Sequence, residues 1–149
     1  MSDSLQEKIN AVNQRTKELN ALYHSAALRA GVPDGELGVW SVLLCSDGKY
    51  SQRDLAFLLS LPPQTVNSVV SNMTKKGYVT LDRVPGTRNR KVVCTTDAGR
   101  AYAEKSIRWI FDAEQRAMSQ ISSDDLDRLV ELMDAYLSRM KDELHAEEQ

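Results

Sequence analysis

Six short polar side chains within residues 62–77 could read the bases of a nucleic acid. They carry amide or hydroxyl groups and no charge, and they are Gln64, Thr65, Asn67, Ser68, Ser71 and Asn72. Asparagine and glutamine hydrogen-bond adenine in the major groove, whereas serine and threonine contact thymine methyl groups or phosphates. The alternative is that these residues form only a solvated helix face.

The segment 62–77 has the start and the stop of a helix. Pro63 suits the first helical position, and Gly77 suits the left-handed residue after the last turn. The apolar residues between them recur at spacings of three and four and are Val66, Val69, Val70 and Met73. This period predicts one apolar face opposite the polar one.

A second set of candidate contacts is cationic and follows the polar helix. Arg88 and Arg90 lie at the tip of a predicted hairpin, where Pro85 and Gly86 make a turn. Guanidinium groups at such a tip suit insertion into a narrow, A·T-rich minor groove. The cations that suit phosphate contacts are Lys75, Lys76, Arg83 and Lys91. For Lys75 and Lys76, a favourable interaction with the helix C-terminus is a second interpretation.

Charge is divided unevenly along the chain, although the net charge is only −2. Residues 75–108 contain nine basic and three acidic side chains, whereas residues 109–149 contain four basic and eleven acidic ones. This division favours a basic surface for a polyanion and an acidic part with another role. Ordinary variation between solvated helices is the alternative.

Two helices before residue 62 position the polar segment. Residues 34–46 are apolar nearly all round, which predicts a buried helix capped by Asp34 or Gly35. Ser51 and Asp54 have the spacing of a capping box at the start of another helix. Ser51 and Gln52 at that helix start could also hold a phosphate. The apolar residues expected to face inward there are Leu55, Ala56, Leu58 and Leu59.

A short turn at residues 60–62 joins this helix to the polar segment, which gives a helix-turn-helix outline. Residues 78–83 and 91–95 alternate and contain β-branched side chains, so they predict the two strands of a hairpin. A helix-turn-helix followed by a hairpin is the winged-helix arrangement.

Long amphipathic helices flank this part of the chain. They are predicted over residues 4–31, from the cap Thr96 to about 119, and from Ser122 or Ser123 onward. The last one carries a wide, nearly heptad apolar seam, which is usually a packing or dimer face. The residues expected at a dimer interface are Leu5, Ile9, Val12, Leu129, Met133, Tyr136 and Met140.

Composition narrows the class of protein. A chain of 149 residues suits one domain, and 42% apolar with 27% charged residues is ordinary for a globular protein. There is no apolar run of membrane-spanning length and no pattern of a secretory signal, so we expect a cytoplasmic protein. Because no catalytic constellation and no local metal-ligand spacing appear, we expect neither an enzyme nor a cofactor. A metal site shared by His24 and His145 in a dimer is a weak alternative.

The motifs together resemble the MarR family of bacterial transcription regulators. The resemblance rests on Ser51-x-x-Asp-Leu-Ala-x-x-Leu, on Val66-x-x-x-Val-x-x-Met-x-x-x-Gly-Tyr-Val, and on a basic hairpin that ends in Thr96-Asp-Ala-Gly99. It covers essentially the whole chain. It implies a mainly α fold with a small β-hairpin wing (α+β), in which one MarR-like domain spans residues 1–149. The winged-helix core would span 34–99, and the dimerisation helices would span 4–31 and 97–147.

The resemblance also implies a function. Members of this family form homodimers that place a helix in the major groove and the wing at the minor groove of double-stranded DNA. Many members bind small phenolic or other aromatic ligands, and ligand binding releases the DNA. We therefore expect a ligand-responsive repressor that binds a pseudo-palindromic operator as a homodimer. The matching ligand pocket would be lined by Tyr23, His24, Trp40, Leu44, Trp109 and Phe111. The alternatives are a winged-helix protein–protein adaptor and a redox- or metal-sensing regulator of the same fold.

Three features depart from the usual pattern of the family. The wing lacks the common Asp and Arg, at the positions of Thr87 and Asn89, so Arg88 and Arg90 would have to take over the minor-groove role. Pro62 replaces the frequent Ser or Thr cap, and the outer face of residues 62–77 carries no arginine. We expect both cysteines, Cys45 and Cys94, to serve as buried packing rather than as redox sensors.

Overall fold

The computed structural model describes residues 3–148, which form helices and one antiparallel hairpin. The helices are α1 (Asp3–Ala30), α2 (Asp34–Cys45), α3 (Gln52–Leu59), α4 (Pro63–Lys75), α5 (Asp97–Ser106), α6 (Arg108–Met118) and α7 (Ser123–Glu147). The strands β1 (Val79–Arg83) and β2 (Lys91–Thr95) lie between α4 and α5. The mainly helical fold with a small hairpin is therefore confirmed. Within the described residues, no helix is both long and apolar enough to cross a membrane.

The chain divides into two compact units, one that ends at Phe111 and one that begins at Asp112. The first unit contains the hydrophobic core. Its largest fully buried side chains come from α2, α3, α4, β1 and the turn between α5 and α6, and they include Trp40, Leu55, Val66, Met73 and Ile107. The buried apolar faces of its own helices therefore stabilise the helix-turn-helix.

Local sequence explains where α3 and α4 begin and end. Ser51 and Asp54 form the expected capping box, with each side chain accepting a hydrogen bond from the other's backbone N–H. Pro63 occupies the first turn of α4, and Gly77 has a φ of +80°, a conformation that glycine adopts without strain. The predicted ends of this helix are confirmed.

Two expectations about the helices near α3 are wrong in detail. Leu58 is 52% exposed, because the inner face of α3 is formed by Leu55, Ala56 and Leu59. Asp34 does not cap α2 but is its first residue, and its carboxylate lies 2.9 Å from Nδ1 of His24 in α1. Pro33 takes the cap position without a side-chain hydrogen bond.

The Thr-x-x-Gly motif joins the end of α4, the start of β1 and the start of α5. The Thr96 hydroxyl donates to the Gly77 carbonyl at 2.6 Å and accepts from the Gly99 N–H at 2.9 Å. The Thr96 N–H also donates to the Tyr78 carbonyl at 3.0 Å. A Cβ on residue 99 would lie 2.0 Å from that carbonyl oxygen, so only glycine fits there.

The expected continuous helix from Thr96 to about residue 119 is wrong, because the helix breaks at Ile107. The Ile110 N–H donates to the Ile107 carbonyl at 3.0 Å, one residue closer than in an α-helix. The Ser106 carbonyl instead accepts a hydrogen bond from the Trp109 indole at 3.0 Å. A side chain that takes a backbone carbonyl out of the helical ladder accounts for the break.

The two long helices each expose an apolar face. In α1, Ala27 is buried and Arg29 lies 4.6 Å above the Trp109 ring, but Leu5 and Val12 are about half exposed. In the second unit, α7 has no buried residue. Its exposed apolar side chains include Leu129, Met133, Tyr136, Leu137 and Met140.

Candidate nucleic-acid interface

The polar face of α4 is presented to solvent along its whole length. Gln64, Thr65, Asn67, Ser68, Ser71 and Asn72 are all exposed. On the opposite face Val66, Val70 and Met73 are buried, with at most 1% of each exposed. The helix therefore has a fixed orientation in the core and an uncharged hydrogen-bonding surface on its outside.

Two lysines follow this surface at the end of α4. Lys75 is exposed in the last turn, where its charge complements the helix C-terminus. Lys76 reaches back to α2, and its Nζ donates to Glu36 Oε1 at 3.3 Å. The side chain of Glu36 is only 3% exposed, so this ion pair connects the end of α4 to the first turn of α2.

The start of α3 combines capping with an available hydroxyl proton. The Ser51 hydroxyl accepts from the Asp54 N–H at 3.1 Å, which leaves its proton for an acceptor such as a phosphate oxygen. Asp54 Oδ2 accepts from the Ser51 N–H at 2.9 Å, and this bond is the main cause that lowers the Asp54 pKa. Gln52 is half-buried, and its Oε1 has no hydrogen-bond partner within residues 3–148.

The wing is a regular hairpin with an ordered tip. Val84 to Thr87 form a turn in which Pro85 precedes Gly86 at a φ of +80°, and the Thr87 N–H donates to the Val84 carbonyl at 3.2 Å. The Arg83 guanidinium donates to the Arg88 carbonyl across the hairpin. Arg83 thus braces the tip, in addition to the phosphate role expected from the sequence.

The structure separates the roles of the two arginines at the wing tip. Arg90 Nη2 lies 3.4 Å from Asp54 Oδ2, the same oxygen that caps α3. The charge of Arg90 further lowers the Asp54 pKa. Arg88 is exposed, and no ion pair to its side chain is found in the described part of the chain. Arg90 connects the wing to α3, whereas the charge of Arg88 stays exposed to solvent.

A backbone contact reinforces this connection between the wing and α3. The Val93 N–H on β2 donates to the carbonyl of Tyr50, the residue before the α3 cap, at 2.8 Å. Neither Tyr50 nor the second role of Asp54 was anticipated from the sequence. Asp54 was identified only as a cap, and nothing in its spacing to Arg90, 36 residues away, signals their contact.

The residues expected to line a ligand pocket have different environments. Trp40 and Phe111 are buried in the core, and Leu44 and Trp109 pack against it. Tyr23 is half-buried, and His24 is exposed and paired with Asp34. Trp40 contacts Tyr78 and Tyr102, whose rings stack at 4.2 Å, and burial raises the Tyr102 pKa. Core packing accounts for Trp40 and Phe111, and the pocket stays a prediction.

Neither cysteine is buried packing, which corrects that expectation. Cys45 is exposed because it is the last residue of α2, beyond the buried turn that contains Val39 and Trp40. Cys94 is half-buried on β2, and burial followed by a hydrogen bond to Asp82 raises its pKa. A raised pKa disfavours the thiolate, which is the form that reacts with oxidants.

Comparisons with known proteins agree with this geometry. A family model described as winged helix-turn-helix DNA-binding matches residues 43–80, which include α3 and α4. A search of curated proteins found no match. Among solved structures, NMB1585 of Neisseria meningitidis, a MarR family regulator, has a TM-score of 0.77 and 18% identity, over 95% of this chain and 99% of that one. The chain has the fold of the MarR family regulators.

Two further solved structures with the MarR fold hold ligands. Sco3205 of Streptomyces coelicolor was solved in complex with DNA; it has a TM-score of 0.75 and 17% identity, over 94% of this chain and 93% of that one. CouR of Rhodococcus jostii RHA1 was solved with p-coumaroyl-CoA; it has a TM-score of 0.71 and 18% identity, over 91% and 95%. At these identities the likeness establishes the MarR fold alone.

Proposed function

We propose that this chain is a DNA-binding transcription regulator of the MarR type that acts as a homodimeric, ligand-responsive repressor. The observation that carries the proposal is the outer face of α4. Six uncharged hydrogen-bonding side chains are exposed there on a helix whose other face is fixed in the core. A recognition helix in the major groove needs this combination of a rigid backbone and accessible amides.

Arg88, Lys91 and Lys75 would surround the recognition helix with phosphate and minor-groove contacts. Arg88 takes the minor-groove role, because Arg90 is already paired with Asp54. Arg90 and Tyr50 fix the wing against α3, so that Arg88 is presented at a defined angle. The local excess of positive charge supports the same arrangement, since residues 75–108, which include the wing, have a net charge of +6.

The exposed apolar faces of α1 and α7 support a homodimer. Leu129, Met133 and Tyr136 are each about half exposed on one helix, and Leu5 and Val12 are equally exposed on the other. Apolar stripes of this length are unusual on a monomer and mark interaction surfaces. A two-fold dimer would place two recognition helices on half-sites about one helical turn apart, near 34–36 Å.

The effector is proposed to be a small aromatic molecule. Support comes from the p-coumaroyl-CoA complex of CouR and from the 4-hydroxyphenylacetate complex of NadR, both of which share the fold. Residues around Trp109 and Tyr23 are the candidates for its pocket. Thermal-shift screening with hydroxylated aromatic acids, followed by DNA release in the presence of each hit, tests this part of the proposal.

The DNA-binding proposal is tested by fluorescence anisotropy with the DNA upstream of the protein's own gene and with a scrambled duplex. Binding should weaken linearly with log salt concentration. Arg88→Ala should weaken it and lower the salt slope by about one unit per subunit of the proposed dimer. Arg139→Ala, which removes the same charge from α7, is the matched control and should leave the slope unchanged.

The exposed faces of α1 and α7 also favour a second candidate, a winged-helix adaptor that binds another protein. Absence of salt-dependent binding to either duplex would reject the regulator and leave the adaptor. Equal losses for Arg88→Ala and Arg139→Ala would reject the role of the wing, because the effect would then report only net charge.

A further inference from the structure

Most of the helix-turn-helix carries no charged side chain. Residues 55–74 contain neither a basic nor an acidic residue, and they cover most of α3, the connecting turn and α4 up to Thr74. In the major groove, arginine and lysine hydrogen-bond guanine, whereas aspartate and glutamate accept a hydrogen bond from cytosine. Before Lys75, the outer face of α4 therefore lacks the charged side chains that usually read G·C pairs.

The polar side chains in the first turns of α4 are not engaged by their own helix. The Thr74 hydroxyl donates to the Val70 carbonyl at 2.8 Å, one turn back, and helical serines can form the same type of bond. Within residues 3–148, neither Ser68 nor Ser71 does so, and the Gln64 amide is equally free of hydrogen bonds. These donors and acceptors are therefore available to a partner.

One stripe of these residues lies opposite the core. Gln64, Ser68 and Ser71 are spaced by four and three residues, which puts them on one face of α4. The buried Val66 and Val70 lie on the opposite face. At a rise of 1.5 Å per residue the stripe is about 10 Å long, which matches roughly three base pairs. Because the N-terminal residues of a recognition helix contact base edges, Gln64 is well placed to do so.

Two other polar residues of α4 lie away from this stripe or at its far end. Asn72 is on the side of α4 that faces the start of α2, where it lines a cleft with Pro33 and Glu36. Lys75 is in the last turn, about 16 Å from Gln64 along the helix axis. These two side chains are therefore placed for the DNA backbone rather than for the bases that Gln64 reaches.

We propose that α4 reads about three consecutive A·T pairs in each half-site and that Gln64 selects an adenine among them. The Gln64 amide donates to N7 of the adenine and accepts from its N6 amino group, and the hydroxyls of Ser68 and Ser71 donate to O4 of thymine. This preference rests on the proposed function and adds to it the kind of operator that the protein selects.

The wing would favour the same base composition through the other groove. Arg88 is assigned to the minor groove, which is narrow and attracts arginine where the DNA is rich in A·T pairs. The contacts of α4, in contrast, depend on groups in the major groove. The two preferences can therefore be separated by a base pair that changes only one groove.

The first experiment selects duplexes from a random library with the full-length protein at physiological salt. Each half-site of the selected DNA should contain a run of about three A·T pairs without a required G·C pair. An inosine·cytosine pair then replaces each A·T pair of this run and of the flanking DNA in turn. Inosine·cytosine has the major-groove groups of G·C and the minor groove of A·T.

Fluorescence anisotropy with these duplexes distinguishes the two grooves. In the run that α4 contacts, inosine·cytosine should weaken binding about tenfold per half-site, as much as G·C does. In the flanking pairs next to the wing, only G·C should weaken binding. If inosine·cytosine is harmless at every position, the A·T preference comes from the minor groove alone, and the proposal is overturned.

Two variants of α4 assign the adenine preference to one residue. Gln64→Ala should lose the preference for adenine over guanine at one pair per half-site, and alanine keeps the helix intact. Asn72→Ala removes a similar amide from the same helix and should keep the preference at every pair. Gln115→Ala, an exposed position on α6, is the matched control outside the proposed DNA contacts. Full adenine preference in Gln64→Ala, or its loss in Asn72→Ala, would overturn the assignment.

Failure of this inference differs from failure of the proposed function. No salt-dependent binding to any duplex would reject the regulator and the inference together. Salt-dependent binding without a base preference, or with a required G·C pair at the position that responds to Gln64→Ala, would reject the inference and leave the regulator.

Discussion

Substitution of Gly99 by alanine should destabilise the fold, although alanine is the better helix former. The added Cβ would lie 2.0 Å from the Tyr78 carbonyl oxygen, and real Cβ contacts stay beyond about 3.0 Å. The backbone at Tyr78 would therefore have to retreat by about 1 Å from its position at the start of β1. Because the obstacle is backbone, no side-chain rotation can relieve the clash.

The magnitude follows from three contributions. Overpacking costs about 1–3 kcal/mol, and loss of the adjacent hydrogen bond from Thr96 to the Tyr78 carbonyl costs about 0.5–1.5 kcal/mol. Replacing a helical glycine by alanine stabilises the helix by roughly 0.5–1 kcal/mol, which offsets part of this loss. We therefore expect the free energy of unfolding to fall by roughly 2 kcal/mol for Gly99→Ala, which corresponds to a Tm about 4–8 °C lower.

Urea denaturation and thermal melts measure this change, with Gly38→Ala as the matched control. A Cβ at residue 38 would meet only the Leu59 side chain at 3.4 Å, an ordinary contact, so this variant should be neutral or slightly more stable. Equal stability of Gly99→Ala and the wild type would refute the reasoning. It would mean that the backbone at the junction of α4, β1 and α5 can move to accommodate the added Cβ at little cost in free energy.

Two further substitutions test other contacts. Asp54→Asn should lower stability at neutral pH. Its deficit should shrink as the pH falls below the ordinary aspartate pKa and through the lowered pKa of folded Asp54, because this carboxylate stabilises the fold only while it is charged. Urea midpoints that keep a constant deficit over that pH range would contradict this prediction. Met133→Glu should convert the proposed dimer to a monomer, as measured by size-exclusion chromatography with light scattering. The control Arg139→Glu lies off the apolar seam of α7 and should stay dimeric. A dimeric Met133→Glu variant would contradict the proposed interface.

Local signals in the sequence were sufficient to predict most elements of the winged helix. The capping box at Ser51 and the helix-ending Gly77 depend on neighbours a few residues away, so short sequence motifs are enough to predict their geometry. The alternation of β1 and β2 and the turn at Pro85 are equally local. These features were predicted with nearly the observed boundaries.

Contacts between distant residues were not predictable in the same way. The pair of Arg90 with Asp54 and the bond from Val93 to Tyr50 depend on how the wing folds back on α3. The break at Ile107 depends on the Trp109 indole competing for a backbone carbonyl, and helical periodicity on both sides conceals it. For the same reason the sequence assigned Arg90 and Arg88 one common role, whereas the structure distinguishes them.

The bond between Tyr50 and Val93 also bears on how the protein avoids aggregation. β2 pairs with β1 along one edge and with Tyr50 on the other, so at Val93 it has no open edge for a strand of another molecule. The outer edge of the hairpin belongs to β1, where Asp82 and Arg83 are exposed. Charged side chains are a common means by which natural sheets discourage edge-to-edge association. The wing, which we propose to contact DNA, can thus remain exposed without pairing with a strand of another molecule.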